Sequence, residues 1–206
     1  MQSRSYVADE RALTTLAASQ GGYFTSKQAA AIGYTAPKRN YHVRTGNWVR
    51  ERRGIFRLST QPLPARPDLI LWWLWSRNRE DQPQGVYSHQ TALSLHELTD
   101  VMPSRLNMTV PKTFRRSATI PRSLVLHVED LPPSDIEQID GVPVTKTLRT
   151  LIDVAASGEV PLPDLKLAFA EATRTGKITR AEIAAAKTDS SRRNVLRILE
   201  GKGSTR

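Results

Sequence analysis

The feature that most constrains this chain is a change of pattern at Gly46. Before it, residues 5–45 read as three short helical stretches punctuated by glycines. Tyr6, Val7, Ala12, Leu13, Leu16 and Ala17 fall near helical spacing over residues 5–19, with Asp9 and Glu10 near the positive helix end and Gly21-Gly22 as the stop. Tyr23-Phe24 is a short apolar step. Thr25 or Ser26 can cap a second helix from Lys27 to Ile32, closed by Gly33. Thr35 can cap a third, with Pro37 in its first turn, running to Thr45. After Gly46 the runs become β-prone: Trp48-Val49-Arg50, then Ile55-Phe56-Arg57-Leu58. Glu51-Arg52-Arg53-Gly54 lies between them, and Gly54 suits the left-handed position of a tight turn. Three helices and a hairpin in this order predict a winged helix-turn-helix.

Pro62, Pro64 and Pro67 make Ser59–Pro67 read as a stiff linker. The expected organisation is therefore a DNA-binding domain over 1–60, a linker over 61–67 and a second domain over 68–206. A helix starts at Pro67-Asp68 and carries Trp72, Trp73 and Trp75; another is capped by Ser88. Leu106–Val110 and Leu124–Val128 read as strands, and residues 139–144 as a turn and a short strand through Asp140-Gly141. Helices follow from Thr147 and over 163–174, 179–187 and 191–200, with 201–206 frayed. The predicted class is α+β, a winged helix followed by a mixed α/β domain that ends in helices.

Charge follows the same division. Residues 1–60 carry ten Lys and Arg against three Asp and Glu, whereas 61–206 carry 20 against 17. An excess confined to one segment suggests a polyanion-binding module joined to a nearly neutral one. Arg supplies 22 of the 30 basic residues, and Arg suits bidentate phosphate and guanine contacts. Cys is absent, which removes disulfides and thiolate chemistry and fits a reducing compartment. The longest apolar run, residues 69–75, is too short for a membrane span, and the N-terminus lacks a signal-peptide core. A cytoplasmic protein with no membrane partner is expected.

In the third helix, Ala36, Asn40, Val43 and Tyr41 are expected to face the first helix. That phase turns Lys38, Arg39, His42 and Arg44 outward, where they can reach a major groove. Arg50, Arg52 and Arg53 at the hairpin tip, with Arg57 on the return strand, suit minor-groove or backbone contact.

Conventional catalysis has no visible motif. The four histidines lack H-x-x-x-H spacing, and no metal site is expected. There is no Gly-rich phosphate loop, G-x-S-x-G, H-R-D or D-F-G. Two polar segments remain, Ser88–Thr91 and Thr145–Asp153. Ser88 and Thr147 can be helix caps, and Arg149 with Asp153 an i,i+4 pair. Alternatively, a hydroxyl with Lys146, Arg149 and Asp153 handles a phosphate or a partner surface.

Several segments resemble the AbiEi-type antitoxins of type IV toxin–antitoxin systems. They are Gly22–Ala29, Gly33, Gly46–Arg50 and Arg53–Leu58 in the N-terminal part. Tyr87–His96, Asp140–Thr145 and Leu148–Asp153 follow in the C-terminal part. His42 departs from the family, which usually has an apolar residue there. The resemblance implies an antitoxin encoded beside a nucleotidyltransferase-fold toxin. Its winged helix would bind inverted repeats in double-stranded DNA of its own promoter and repress it, and its C-terminal domain would oppose the toxin. Ser88, His89, Lys146, Arg149 and Asp153 are the candidates for neutralisation. Alternatives are an atypical serine kinase that phosphorylates the toxin, which would need ATP and Mg2+, and a plain transcriptional repressor. Without the kinase reading no cofactor is expected.

Overall fold

The computed structural model describes residues 6–100, 103–116 and 119–201; the expected helix start at Ser5 and the fraying of 202–206 lie outside them. The described residues form an α+β protein that divides into two compact units. The first unit is Met1–Gly85 with Phe114–Arg116 and Asp140–Val142; the second is Val86–Thr113, Ser117–Ile139 and Pro143–Arg206.

The first unit opens with helix α1, Tyr6–Ala18, strand β1, Tyr23–Thr25, and helices α2, Ser26–Ile32, and α3, Ala36–Arg44. The apolar step at Tyr23-Phe24 is thus a strand. Thr25 caps α2 through a reciprocal box, its hydroxyl accepting from the Gln28 N–H while the Gln28 side chain accepts from the Thr25 N–H. Thr35 occupies the cap position of α3 without a side-chain cap bond. The hairpin is β2, Trp48–Arg52, and β3, Ile55–Leu58, with β3 in the middle of a three-stranded antiparallel sheet, β1-β3-β2. Gly54 takes the left-handed turn position at φ 75°. Leu13, Ala17, Phe24, Ala29, Tyr34, Trp48, Phe56 and Leu58 form the buried core between helices and sheet.

The first unit does not stop at the prolines. Helix α4, Pro67–Trp75, belongs to it, so the expected boundary at 60–68 moves to Gly85. The reason is apolar area. Leu69, Ile70, Trp72, Leu74 and Trp75 are buried, and a helix this apolar needs cover that a free linker cannot give. The Pro-rich stretch lies against the winged helix: a Cβ at Gly21 would sit 2.4 Å from Ile70 Cδ1 and 3.3 Å from Pro64 Cγ.

The second unit is built on a five-stranded mixed sheet in the order β6-β5-β4-β8-β7. Its strands are β4, Val86–Tyr87, β5, Leu106–Val110, β6, Leu124–Val128, β7, Ile136–Ile139, and β8, Val142–Thr145. β4 pairs antiparallel with β5 and parallel with β8, and β5 pairs parallel with β6. Strand β5 is buried along its whole length, as expected for a strand inside a sheet. Helices α5, His89–Leu95, and α6, Thr147–Ser157, precede α7, Leu162–Arg174, α8, Arg180–Ala186, and α9, Ser190–Leu199. Their facing sides bury Leu93, Leu148, Leu151, Val154, Leu165, Phe169, Leu196 and Leu199 in one core.

Gly21 provides a test of the α4 docking. It lies at φ 59°, so Gly21→Ala forces an L residue into the left-handed region, costing about 1–2 kcal/mol, and also turns Ile70 aside. The full chain should lose about 2 kcal/mol of unfolding free energy in urea, read by tryptophan fluorescence.

Candidate functional site

The exposed face of α3 and the hairpin carry Lys38, Arg44, Arg50, Arg52 and Arg53. What orients them is a stack of rings. Trp48, the first residue of β2, is 3% exposed and meets Phe24 edge-on at 4.7 Å, Tyr34 at 5.1 Å and Phe56 at 5.8 Å between ring centres. His42 lies flat on Trp48 at 4.8 Å, with planes 13° apart, and its Nδ1 is 3.3 Å from Asn47 Nδ2. His42 is therefore an inside residue, 7% exposed, where the sequence reading turned it outward. Its burial lowers its pKa, so the imidazole is neutral near pH 7.

The helix is thereby rotated from the expected phase. Ala36, Asn40 and Tyr41, expected to face inward, are exposed; Tyr41 is 53% exposed, with the Arg44 guanidinium 6.0 Å from its ring centre. Val43 keeps its inward place against the core. Arg39 is half-buried and donates from Nη1 to the Tyr34 carbonyl at 2.6 Å, bracing the turn into α3. Lys38 and Arg44 remain outward.

Three of the four hairpin arginines are presented to solvent. Arg50 donates to Asn40 Oδ1 at 3.3 Å and lies 5.5 Å from the Phe56 ring centre. A bulge between Arg50 and Arg52 shifts the register, leaving Glu51 to accept from Arg57 Nε at 3.0 Å. Arg57 also donates to the Leu58 carbonyl at 3.3 Å. It is thus an internal brace of the sheet, where the sequence predicts a DNA contact from the return strand. Arg52 is exposed yet stacks over Trp72 at 4.8 Å, and Arg53 sits beside Gly54 in the turn. The side chains of Lys38 and Arg53 are exposed and have no hydrogen-bond or ion-pair partner among the described residues. Lys38, Tyr41, Arg44, Arg50, Arg52 and Arg53 form a cationic surface with one aromatic, suited to a phosphate backbone and base edges. Sequence reading missed Tyr41 because the stack that sets the helix phase joins His42 to Trp48, six positions later on another element.

In the second unit the two polar segments fold inward. Ser88 is fully buried and occupies the cap position of α5 without a cap bond, because its Oγ accepts from Thr109 Oγ1 at 2.8 Å. The His89 ring stacks on His127 at 3.6 Å, and His127 Nε2 bonds Asn107 Oδ1 at 2.9 Å. Burial, with the neighbouring His127 and Arg149, pushes His89 down to about 4. Lys146, not Thr147, stands at the cap position of α6; the Thr147 hydroxyl meets His96 Nδ1 at 3.3 Å instead. Lys146 lines a cleft of about 430 Å3 with Asp135, Arg149, Glu182 and Arg192.

Arg149 is the centre of a charge cluster. Although 6% exposed, it donates from Nε to Asp153 at 2.7 Å, from Nη1 to Asp135 at 3.3 Å and from Nη2 to Glu129. Arg192 closes on Asp135 at 2.8 Å. The i,i+4 pair expected from sequence is present, but buried within a larger network. Every direction of the Arg149 fork is engaged, and its carboxylate neighbours raise its pKa. The arrangement holds α6 to the segment before β7 and to α9.

Asp153 carries a testable signature. Burial outweighs the pull of Arg149 and raises its carboxyl to about 6, and its Oδ2 has no hydrogen-bond partner. Between 3.8 and about 6 the folded chain holds a proton that the unfolded chain has lost. This contribution is complete below 3.8 and is lost as pH rises through about 6. Subtracting the unfolding free energies of Asp153→Asn from those of the parent chain at each pH should leave a curve that falls over that window.

Comparison with known proteins agrees with the geometry of the first unit. No curated protein matches the sequence. Over the whole fold, the chain is similar to the crystal structure of the RV2827C protein from Mycobacterium tuberculosis, with TM-score 0.58 and 14% identity, covering 98% of this chain and 80% of that one. That likeness is one of fold. Residues 11–59, from α1 through the hairpin, match the family described as transcriptional regulator, AbiEi antitoxin.

Proposed function

We propose that the chain is an antitoxin of a type IV toxin–antitoxin system, acting as a DNA-binding repressor of its own promoter and as an antagonist of a nucleotidyltransferase-fold toxin. The observation that carries this reading is the exposed set Lys38, Arg44, Arg50, Arg52 and Arg53, displayed on α3 and the hairpin within the segment that matches the AbiEi family. A helix presenting cations fits a major groove, while an Arg-bearing wing fits the adjacent backbone or minor groove. Inverted repeats in double-stranded DNA upstream of the gene are the proposed target. The second unit is the proposed toxin-opposing part, working in the cytoplasm. No helix among the described residues is long and apolar enough to cross a membrane. Ser88 and Arg149 support this role as scaffold, since one is buried and the other is engaged by three carboxylates. Nothing in their arrangement favours the kinase reading.

Two measurements test the proposal. Replacing Lys38 and Arg53 with Ala should weaken binding to the DNA upstream of the gene, and each lost phosphate contact should reduce the salt slope by about 0.9. Unchanged affinity and slope in the double variant would remove the DNA role.

The same double variant should release promoter repression yet still protect cells from the neighbouring gene's toxin, when both proteins are expressed from an unrelated promoter. Loss of protection together with repression would show that neutralisation runs through DNA.

A further inference from the structure

The hairpin of the first unit is held by a segment outside the matched family region. Arg52, exposed at the end of β2, lies over the face of Trp72 at 4.8 Å, while Trp72 itself is 5% exposed and meets Trp75 edge-on at 6.3 Å. One residue pair further, the Gly54 carbonyl at the turn accepts two bonds, from the Ser26 N–H at 3.0 Å and from Arg77 Nη2 at 3.3 Å. Arg77 is aimed by its own contacts: Nη1 donates to the Leu74 carbonyl at 2.9 Å, and Nε lies 3.0 Å from Asp81 Oδ1. Asp81 in turn accepts from the Thr25 hydroxyl, and Lys27 donates to the Arg79 carbonyl. The loop that carries these groups is fixed by Asn78, whose Oδ1 accepts from the N–H groups of Glu80 at 3.0 Å and Gln82 at 2.9 Å.

We propose that the segment Pro67–Pro83 is part of the DNA-reading apparatus, with Trp72 and Arg77 as positioning residues that set the Arg-bearing wing. This inference rests on the DNA-binding reading above and extends it to residues beyond 59. Here the tip carbonyl is tied to α2 and to the loop after α4, and the guanidinium beside it is laid on an indole. A guanidinium held over an indole by the cation–π attraction keeps its N–H donors free for phosphate oxygens and base acceptors. Ordering the side chain before binding removes part of the cost of ordering it on DNA.

The test uses the full chain and a duplex carrying the sequence immediately upstream of its own reading frame. Affinities are measured for Arg52→Ala, Trp72→Leu, Trp72→Phe and the double variant Arg52→Ala/Trp72→Leu, with circular dichroism on each. Trp72→Leu should weaken binding about two- to fivefold, the equivalent of losing one exposed cation–π contact. Trp72→Phe should recover most of that loss, and the double variant should bind no more weakly than Arg52→Ala alone. Independent, multiplying losses from the two substitutions would overturn the inference, because Trp72 would then act on stability and not through Arg52. Wild-type affinity in a folded Trp72→Leu would do the same. If Trp72→Leu does not fold, Arg77→Ala decides: it removes one of the two bonds to the Gly54 carbonyl and leaves every exposed cation of the wing in place. It must then weaken binding, and binding at full strength overturns the proposal. Lys38→Ala measured alongside separates the two levels. If it weakens binding while the Trp72 series does not, DNA binding stands and the positioning role falls. If neither it nor Arg52→Ala matters, both fall.

Discussion

Trp48 fixes the geometry on which the DNA-facing part of this chain depends. Its indole touches rings from β1, the α2–α3 turn, α3 and β3, and the parallel stack with His42 determines how α3 is rotated about its own axis. Every outward cation on α3 inherits its direction from that rotation. Aromatic pairs of this kind contribute about 0.5–1.5 kcal/mol beyond their buried area, so several meeting at one indole define a single helix phase and not a range of them. The His42 imidazole can join the cluster because burial keeps it uncharged; a cation there would need solvent that the core excludes.

Much of the architecture was legible from periodicity and punctuation. The glycines at 33, 46 and 54 and the polar caps marked element ends to within a residue or two, and strands at 106–110 and 124–128 showed as β-branched and apolar runs. Strands β1 and β4 were not legible, being only three and two residues long. The domain boundary was misjudged for a related reason. Three prolines describe how a segment's backbone is restricted, not what lies beneath it, and Pro64 lies against Gly21 of the winged helix.

The candidate site was readable by composition and only partly by geometry. The cluster of Arg50, Arg52 and Arg53 stood out as charge, and all three are exposed. What composition could not show is which cation is already engaged. Arg57 looks like its neighbours in sequence but faces Glu51 across the bulge. Likewise Arg149 and Asp153 read as an ordinary i,i+4 pair, yet both are buried in a larger network, because Glu129, Asp135 and Arg192 arrive from distant parts of the chain. Contacts brought by the fold, not by neighbouring positions, decided these cases. The same holds for Trp72, whose place under Arg52 follows only from the docking of α4.

The doubly bonded carbonyl of Gly54 bears on how such a protein can diversify. Hairpin turns ordinarily tolerate insertions and deletions, and families exploit this by varying loop length. Here an added residue between Arg53 and Ile55 would carry the carbonyl away from both the Ser26 N–H and Arg77 at once. The φ of 75° at Gly54, a conformation that L side chains rarely adopt, restricts even the identity of that residue. Length polymorphism is therefore closed at this wing. A descendant acquiring a different operator has to do so by exchanging side chains at Arg50, Arg52 and Arg53, or on the open face of α3, over a backbone that stays the same.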